Sequence, residues 1–176
     1  MVQLHDKTFE PYISEKEIQQ IVSDVASKMS VLKDAKPLFI VILKGSFIFA
    51  SDLVKALDYD VELCFMQLKS YEGTQSSGKI KDLMGIPPHI KGRTVVVLED
   101  IIDTGNTLEY LNQQLLEEQP HKIYYASLLL KPSVYKKDIP INFVGKEIPN
   151  EFVVGYGLDY DELGRTLTQI YKLKNT

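Results

Sequence analysis

Residues 95–108 read Val95-Val96-Val97-Leu98-Glu99-Asp100-Ile101-Ile102-Asp103-Thr104-Gly105-Asn106-Thr107-Leu108. The opening run is short, apolar and rich in valine, which predicts a buried parallel strand rather than a helix. It delivers two adjacent acids, Glu99 and Asp100. Two apolar residues follow, then Asp103, then Thr104-Gly105-Asn106-Thr107. Leu108, Leu111 and Leu115 continue at helical spacing. The first N–H groups of a helix are unpaired and carry partial positive charge, so they suit a phosphate. Gly105 lets backbone approach closely, Thr104 and Thr107 add hydroxyl donors, and Asn106 offers its backbone N–H. Glu99 and Asp100 are acceptors where ribose hydroxyls or a divalent cation would sit. Asp103 stands at the seam between the two. Taken singly, Asp103 or Thr104 reads as a helix cap and the two acids as a solvated strand end. The whole string behind an apolar run reads as a seat for a ribose phosphate at the carboxyl end of a strand, where open α/β sheets bind ligands.

Working outward, helix and strand signals alternate, which predicts an α/β layer architecture. Ser14-Glu15-Lys16-Glu17 has the form of a capping box, and Ile18, Ile21, Val22, Val25 and Met29 mark one helix face behind it. Leu38-Phe39-Ile40-Val41-Ile42-Leu43 is a second buried-strand run, broken by Lys44-Gly45-Ser46. Residues 47–57 make a helix with Phe49, Leu53 and Leu57 on one side. Residues 61–68 and 123–130 read as further strands. Residues 70–91 differ: Gly73, Gly78, Gly85, Ser76-Ser77 and Pro87-Pro88 leave little apolar pattern. About 20 residues of weak structure inside a compact chain are uncommon unless functional or mobile. Beyond Lys131, short fragments such as Phe152-Val153-Val154 stand between Pro132, Pro140 and Pro149, which predicts a small lobe of strands and loops.

Composition sets the outer limits. A chain of 176 residues predicts one domain. With 24 acidic against 20 basic residues and a net charge of −4, it offers no broad basic face for nucleic acid. The longest apolar run is too short to cross a membrane, and the polar, mixed-charge first ten residues do not resemble a signal peptide. The lone Cys64 cannot form an internal disulfide, which fits a reducing, cytoplasmic setting. His5, His89 and His121 are too scattered for a zinc site. Gly73-Thr74-Gln75-Ser76-Ser77-Gly78-Lys79-Ile80 imitates a nucleotide P-loop. Ile80 stands where a Mg²⁺-binding Ser or Thr is required, and no helix pattern follows, so that reading fails.

Residues 99–107 resemble the phosphoribosyl-pyrophosphate motif of type I phosphoribosyltransferases, and residues 97–105 are similar to the hypoxanthine-guanine subgroup of that family. The resemblance extends over nearly the whole chain. Leu43-Lys44-Gly45-Ser46-Phe47 resembles the pyrophosphate loop, in which the peptide before the lysine can be cis. Lys69-Ser70-Tyr71 resembles the start of the mobile catalytic loop. Leu130-Lys131-Pro132 and Phe152-Val153-Val154-Gly155-Tyr156-Gly157-Leu158-Asp159-Tyr160 resemble the purine-binding hood, with Arg165 at the family's spacing. The resemblance implies a central, mainly parallel sheet flanked by helices. Residues 1–176 would form one domain, its small hood built from the N-terminal and C-terminal segments.

The implied activity is Mg²⁺-dependent transfer of a 5-phosphoribosyl group from phosphoribosyl pyrophosphate to N9 of a 6-oxopurine, in purine salvage. The implied roles are these. Asp103 takes the proton at N7, and Ser70 and Tyr71 open a lid over the reacting centre. Lys44, Gly45 and Arg165 hold pyrophosphate, and Glu99, Asp100, Asp103 and residues 104–107 hold the ribose phosphate. Lys131 donates to O6, Phe152 stacks on the purine, and the backbone of Val153 bonds its edge. Asp159, Glu99 and Asp100 attend Mg²⁺. The resemblance further implies a cytoplasmic homodimer or homotetramer without nucleic-acid or membrane partners. A sister transferase for xanthine, adenine or uracil is disfavoured by Lys131 with Phe152. A catalytically silent nucleic-acid binder is disfavoured by the acidic balance together with Asp103, Lys44 and Arg165.

Overall fold

The computed structural model describes residues 1–70, 80–87 and 89–174. Its larger sheet is built from β3 (Leu38–Leu43), β4 (Glu62–Ser70), β5 (Ile80–Met84), β6 (Thr94–Ile102), β7 (Lys122–Leu130) and β8 (Phe143–Glu147). The spatial order is β5-β4-β3-β6-β7-β8, and every pairing except β4 with β5 is parallel. The expected sheet is therefore a parallel one with an antiparallel strand on its edge. α1 (Glu15–Met29) and α2 (Phe47–Ala56) cover one face, and α3 (Asn106–Glu117) covers the other. β3 and β6 feed both faces through the two-residue period of a strand. Phe39, Val41, Val96 and Leu98 pack with α1 and α2, while Leu38, Ile40, Val95 and Val97 pack with α3.

The start of α1 follows its sequence: Ser14 Oγ accepts the Glu17 N–H at 3.2 Å. The Glu17 carboxylate, expected to reach back to the cap, pairs with Lys146 on β8 at 2.9 Å, because a cation on the adjoining strand makes a charge-assisted bond. Two boundaries also differ from the sequence reading. β6 runs to Ile102 rather than ending at Leu98, and its ladder registers Glu99 with Ser127 on β7, so Glu99 lies inside the sheet. β5 occupies part of the 70–91 stretch read as loop. An edge strand needs ladder bonds to one neighbour only and tolerates charged, weakly patterned sequence, which hid it.

A second sheet is antiparallel, in the order β1-β2-β10-β9. Its strands are β1 (Val2–Leu4), β2 (Lys7–Ile13), β9 (Val153–Val154) and β10 (Ile170–Leu173). The N-terminal stretch, polar and mixed in charge, supplies two strands of this sheet, and the C-terminal segment supplies the other two. Phe9 and Ile13 of β2 and Ile170 of β10 are fully buried. No helix among the described residues is long and apolar enough to cross a membrane.

Candidate active site

The strand–turn–helix unit at the carboxyl end of β6 forms the floor of a cleft of about 220 Å³ lined by residues 99–108. The N-cap of α3 is Gly105, with φ of 82°, which has no side chain to place over the first turn. Thr104, Asn106 and Thr107 are exposed around it. The reading of Asp103 or Thr104 as the helix cap therefore does not hold. Glycine is required here twice over: its φ is positive, and a Cβ would meet the Tyr135 ring at 2.5 Å. Tyr135 itself donates to the Ile139 carbonyl at 2.5 Å, and Lys137 pairs with Glu109 of α3 at 2.7 Å. These contacts clamp the turn to the segment after β7.

Asp103 meets Lys131 across the gap between β6 and β7. Lys131 Nζ donates to Asp103 Oδ2 at 2.9 Å; the lysine side chain is 8% exposed and the aspartate 46%. Chain pairing positions both, since the Lys131 N–H also bonds the Ile102 carbonyl at 3.0 Å. Glu99 and Asp100 form the inner wall. Burial, reinforced by the neighbouring Asp100 charge, holds the Glu99 carboxyl well above the usual range. Burial also pushes Asp100 up to about 6, against the lowering effect of backbone hydrogen bonds and of Arg165.

The loop after β3 closes the site from the other side. The Leu43–Lys44 peptide is cis, and the buried Ser46 hydroxyl donates to the Ile42 carbonyl. Gly45 is pressed between two neighbours. A Cβ on it would fall 1.7 Å from Asp100 Oδ2, and a Cβ on Gly157 would fall 2.0 Å from the Gly45 carbonyl oxygen. Backbone contact thus joins the β3 loop, the β6 end and the hood.

The hood brings the remaining candidates. Arg165 donates from Nη1 to the Gly157 carbonyl at 2.8 Å and from Nη2 to Glu162 at 3.3 Å, and Nη2 forms an ion pair with Asp159 at 2.9 Å. Its Nε is buried and is the one such side-chain atom without a hydrogen-bond partner among the described residues. Lys44 Nζ lies 2.8 Å and 3.0 Å from the two Glu162 oxygens. Asp159 Oδ2 also accepts the Glu162 N–H at 2.8 Å. Phe152 is 42% exposed and stands edge-on to Tyr160 at 5.8 Å, with the Lys7 ammonium 5.4 Å from its centroid. Val153 sits in β9, paired with Lys172.

The structure therefore gathers Lys44, Gly45, Asp100, Asp159 and Arg165 into one cluster and Asp103 with Lys131 into another, both at the residue 99–108 cleft. Ser70 is the final residue of β4, and Tyr71 lies outside the described residues, as does most of the expected lid. Sequence reading missed Glu162, Gly157 and Tyr135. Glu162 lies in an acidic run, Asp159-Tyr160-Asp161-Glu162, which looks like a solvated turn; its pairing with Lys44 spans 118 residues and leaves no local signal.

The phosphoribosyl transferase domain family matches residues 13–161. A hypoxanthine-guanine phosphoribosyltransferase of Staphylococcus aureus is 39% identical over 97% of both chains. One from Bacillus subtilis is 43% identical over 92% of this chain and 91% of its own. A crystal structure of a Staphylococcus aureus hypoxanthine phosphoribosyltransferase superposes with a TM-score of 0.87 at 40% identity, covering 97% of this chain and 94% of that one. At that identity over nearly its whole length, the chain belongs to the hypoxanthine-guanine phosphoribosyltransferase family.

Proposed function

We propose that the protein moves a 5-phosphoribosyl group from phosphoribosyl pyrophosphate to N9 of hypoxanthine or guanine, forming IMP or GMP and pyrophosphate in purine salvage. The observation that carries the reading is the Lys131–Asp103 pair, a fixed donor beside an acceptor at 2.9 Å. A 6-oxopurine carries O6 and a protonatable N7 side by side on one edge, so one edge meets both groups. Adenine would set its amino group against the Lys131 ammonium, donor against donor. Asp103 accepts the proton at N7 as the base becomes a nucleophile. Phe152 stacks on the purine and the backbone of Val153 bonds its edge.

The free N–H groups at the start of α3, with Thr104, Gly105, Asn106 and Thr107, hold the ribose phosphate. Glu99 and Asp100 attend the ribose, whose oxocarbenium-like transition state a carboxylate stabilises. Lys44, Gly45 and Arg165 receive the pyrophosphate, and the spare Arg165 Nε gives it a further donor. Ser70 and Tyr71 begin the lid that excludes water from the activated ribose.

The donor set fits a hard divalent cation: Asp100 and Glu99 are carboxyls held above their usual range by burial, and a cation beside them relieves that penalty. Asp159, Asp100 and Glu99 would hold Mg²⁺, directly or through water. No three Asp, Glu, His or Cys side chains among the described residues close on one point as a metal cage, which agrees with an ion that keeps waters and substrate oxygens. When bound, Mg²⁺ supplies neutralisation of the leaving pyrophosphate.

We also read residues 1–176 as one cytoplasmic domain that assembles as a homodimer or homotetramer. Phe47, Leu63, Phe65 and Met84, between 39% and 45% exposed, support assembly.

The test is turnover with phosphoribosyl pyrophosphate and each purine in turn, with Mg²⁺ and with excess EDTA. Hypoxanthine and guanine should react, adenine should not, and EDTA should abolish the reaction. Equal use of adenine, or full activity in EDTA, would overturn the reading.

A further inference from the structure

Glu162 occupies a position that its surroundings do not explain on folding grounds. It sits with Asp161 at the tip of a hairpin whose flanking residues, Tyr160 and Leu163, exchange backbone hydrogen bonds at 2.8 and 3.1 Å. Both tip residues have positive φ, 47° at Asp161 and 69° at Glu162. This two-residue turn is the mirror-image type that ordinarily takes Asn-Gly, and a long side chain there is held against its backbone preference. Such strain persists where the surroundings over-determine it. What the strained residue reaches is a pair of cations. The Glu162 carboxylate spans Lys44 Nζ, at 2.8 and 3.0 Å, and Arg165 Nη2, at 3.3 Å. Those bonds, Lys44 first, hold its carboxyl below the usual range.

Geometry and exposure together show what this contact does. Glu162 is 66% exposed and Lys44 50%, so the bond lies in water, where ion pairs are weak and exchange readily. Arg165 still carries a buried, unpartnered Nε on the same edge as Nη2, the edge that an oxyanion grips with two bonds. Asp159 also pairs with Nη2, at 2.9 Å, so Glu162 is the second and longer carboxylate there, at 3.3 Å, and the one that also reaches Lys44; it half-fills a seat that keeps a donor for a larger anion. We propose that Glu162 is an internal stand-in for pyrophosphate: it neutralises Lys44 and Arg165 in the free protein, swings out when pyrophosphate or its ribosyl ester binds, and returns to speed pyrophosphate release. This rests on the reading of Lys44 and Arg165 as the pyrophosphate ligands.

The test is calorimetric titration of the full chain with inorganic pyrophosphate in Mg²⁺ buffer, alongside steady-state kinetics. Glu162→Gln should bind pyrophosphate about three- to tenfold more tightly, the range expected for one or two exposed ion pairs. Its KM for phosphoribosyl pyrophosphate should fall by a similar factor, with the KM for hypoxanthine unchanged. Glu162→Gly should tighten binding equally, and glycine suits the turn, so a fold defect cannot imitate the result. Asp161→Asn removes the same charge one residue away from a carboxylate that is not among the bonds to Lys44 or Arg165, and should change affinity less than twofold. Unchanged or weaker pyrophosphate binding in Glu162→Gln, or equal tightening in Asp161→Asn, would overturn the proposal. Arg165→Gln separates the two levels. If it loses pyrophosphate while Glu162→Gln is silent, the site reading stands and the stand-in fails. If it binds like the unmodified chain, both fail.

Discussion

Two lysine–carboxylate pairs are nearly equal in length: 2.9 Å for Lys131–Asp103 and 2.8 Å for Lys44–Glu162. Their surroundings are not equal. Lys131 is 8% exposed and Lys44 50%. A buried ammonium deprived of its partner keeps its desolvation cost, whereas an exposed one turns to water. The first pair is thus a donor and an acceptor fixed side by side. The second is a loose clasp that a stronger anion can displace. Under the proposed function a lysine–carboxylate pair serves selection where the carboxylate is Asp103 and exchange where it is Glu162.

The largest break in this comparison comes at the fixed pair. Asp103→Asn removes the proton acceptor and leaves the shape, so turnover should fall about 10²–10⁴-fold while phosphoribosyl pyrophosphate still binds. Near-normal turnover would remove Asp103 from the role. Next in size, Lys131→Met leaves O6 without its donor. The kcat/KM for hypoxanthine and guanine should fall roughly 10- to 100-fold, the effect of losing a charged hydrogen bond. Affinity for phosphoribosyl pyrophosphate should change little, and an equal loss for both substrates would make the lysine structural.

Asp100 tests burial directly. Its folded carboxyl is raised to about 6, from an unperturbed value of 3.8. Protonation is thus favoured in the folded state, and the stabilisation it gives is fully present below pH 4 and lost as pH rises through 6. Asp100→Asn should therefore leave stability nearly unchanged at low pH and raise it by about 1–3 kcal/mol at pH 8, while lowering turnover. Urea unfolding of both proteins across this range would show it; no gain at pH 8 would contradict the buried charge. The smallest effect belongs to the exposed clasp. Lys44→Gln should raise the KM for phosphoribosyl pyrophosphate severalfold, less so in high salt, and leave the KM for hypoxanthine alone.

The two pairs also differ in how far their sequence announces them. Residues 99–107 are contiguous, and each part of the strand–turn–helix is set by its neighbours in the chain, so cleft and helix start were legible. Even there, the strand ran four residues further than its apolar run, because parallel pairing with β7 carries Glu99 and Asp100 inside the sheet. Gly157, Glu162 and Arg165 are neighbours within the hood, but Lys44 joins them only through the fold. Gly45 and Gly157 touch backbone to backbone across 112 positions, and nothing in a local window records that. In the hood, the Val153–Val154 strand was legible as a fragment, whereas the pairing of β1 and β2 was not. Both are short, and β2 is interrupted by charged residues and by Pro11 and finds its second neighbour only in β10, more than 150 residues on.

That pairing has a consequence in time. β2 ends at Ile13, and its partner β10 begins at Ile170. At ribosomal rates of about 5–20 residues per second, β2 waits roughly 8–30 s for its neighbour. The parallel sheet and its helices can consolidate meanwhile, since their contacts are closer along the chain. The hood closes only once β10, from Ile170 on, has been made. Because Phe152, Asp159 and Arg165 all belong to that late segment, a chain interrupted before residue 170 carries the residue 99–108 cleft without β10, the strand that joins β2 to β9 in the hood.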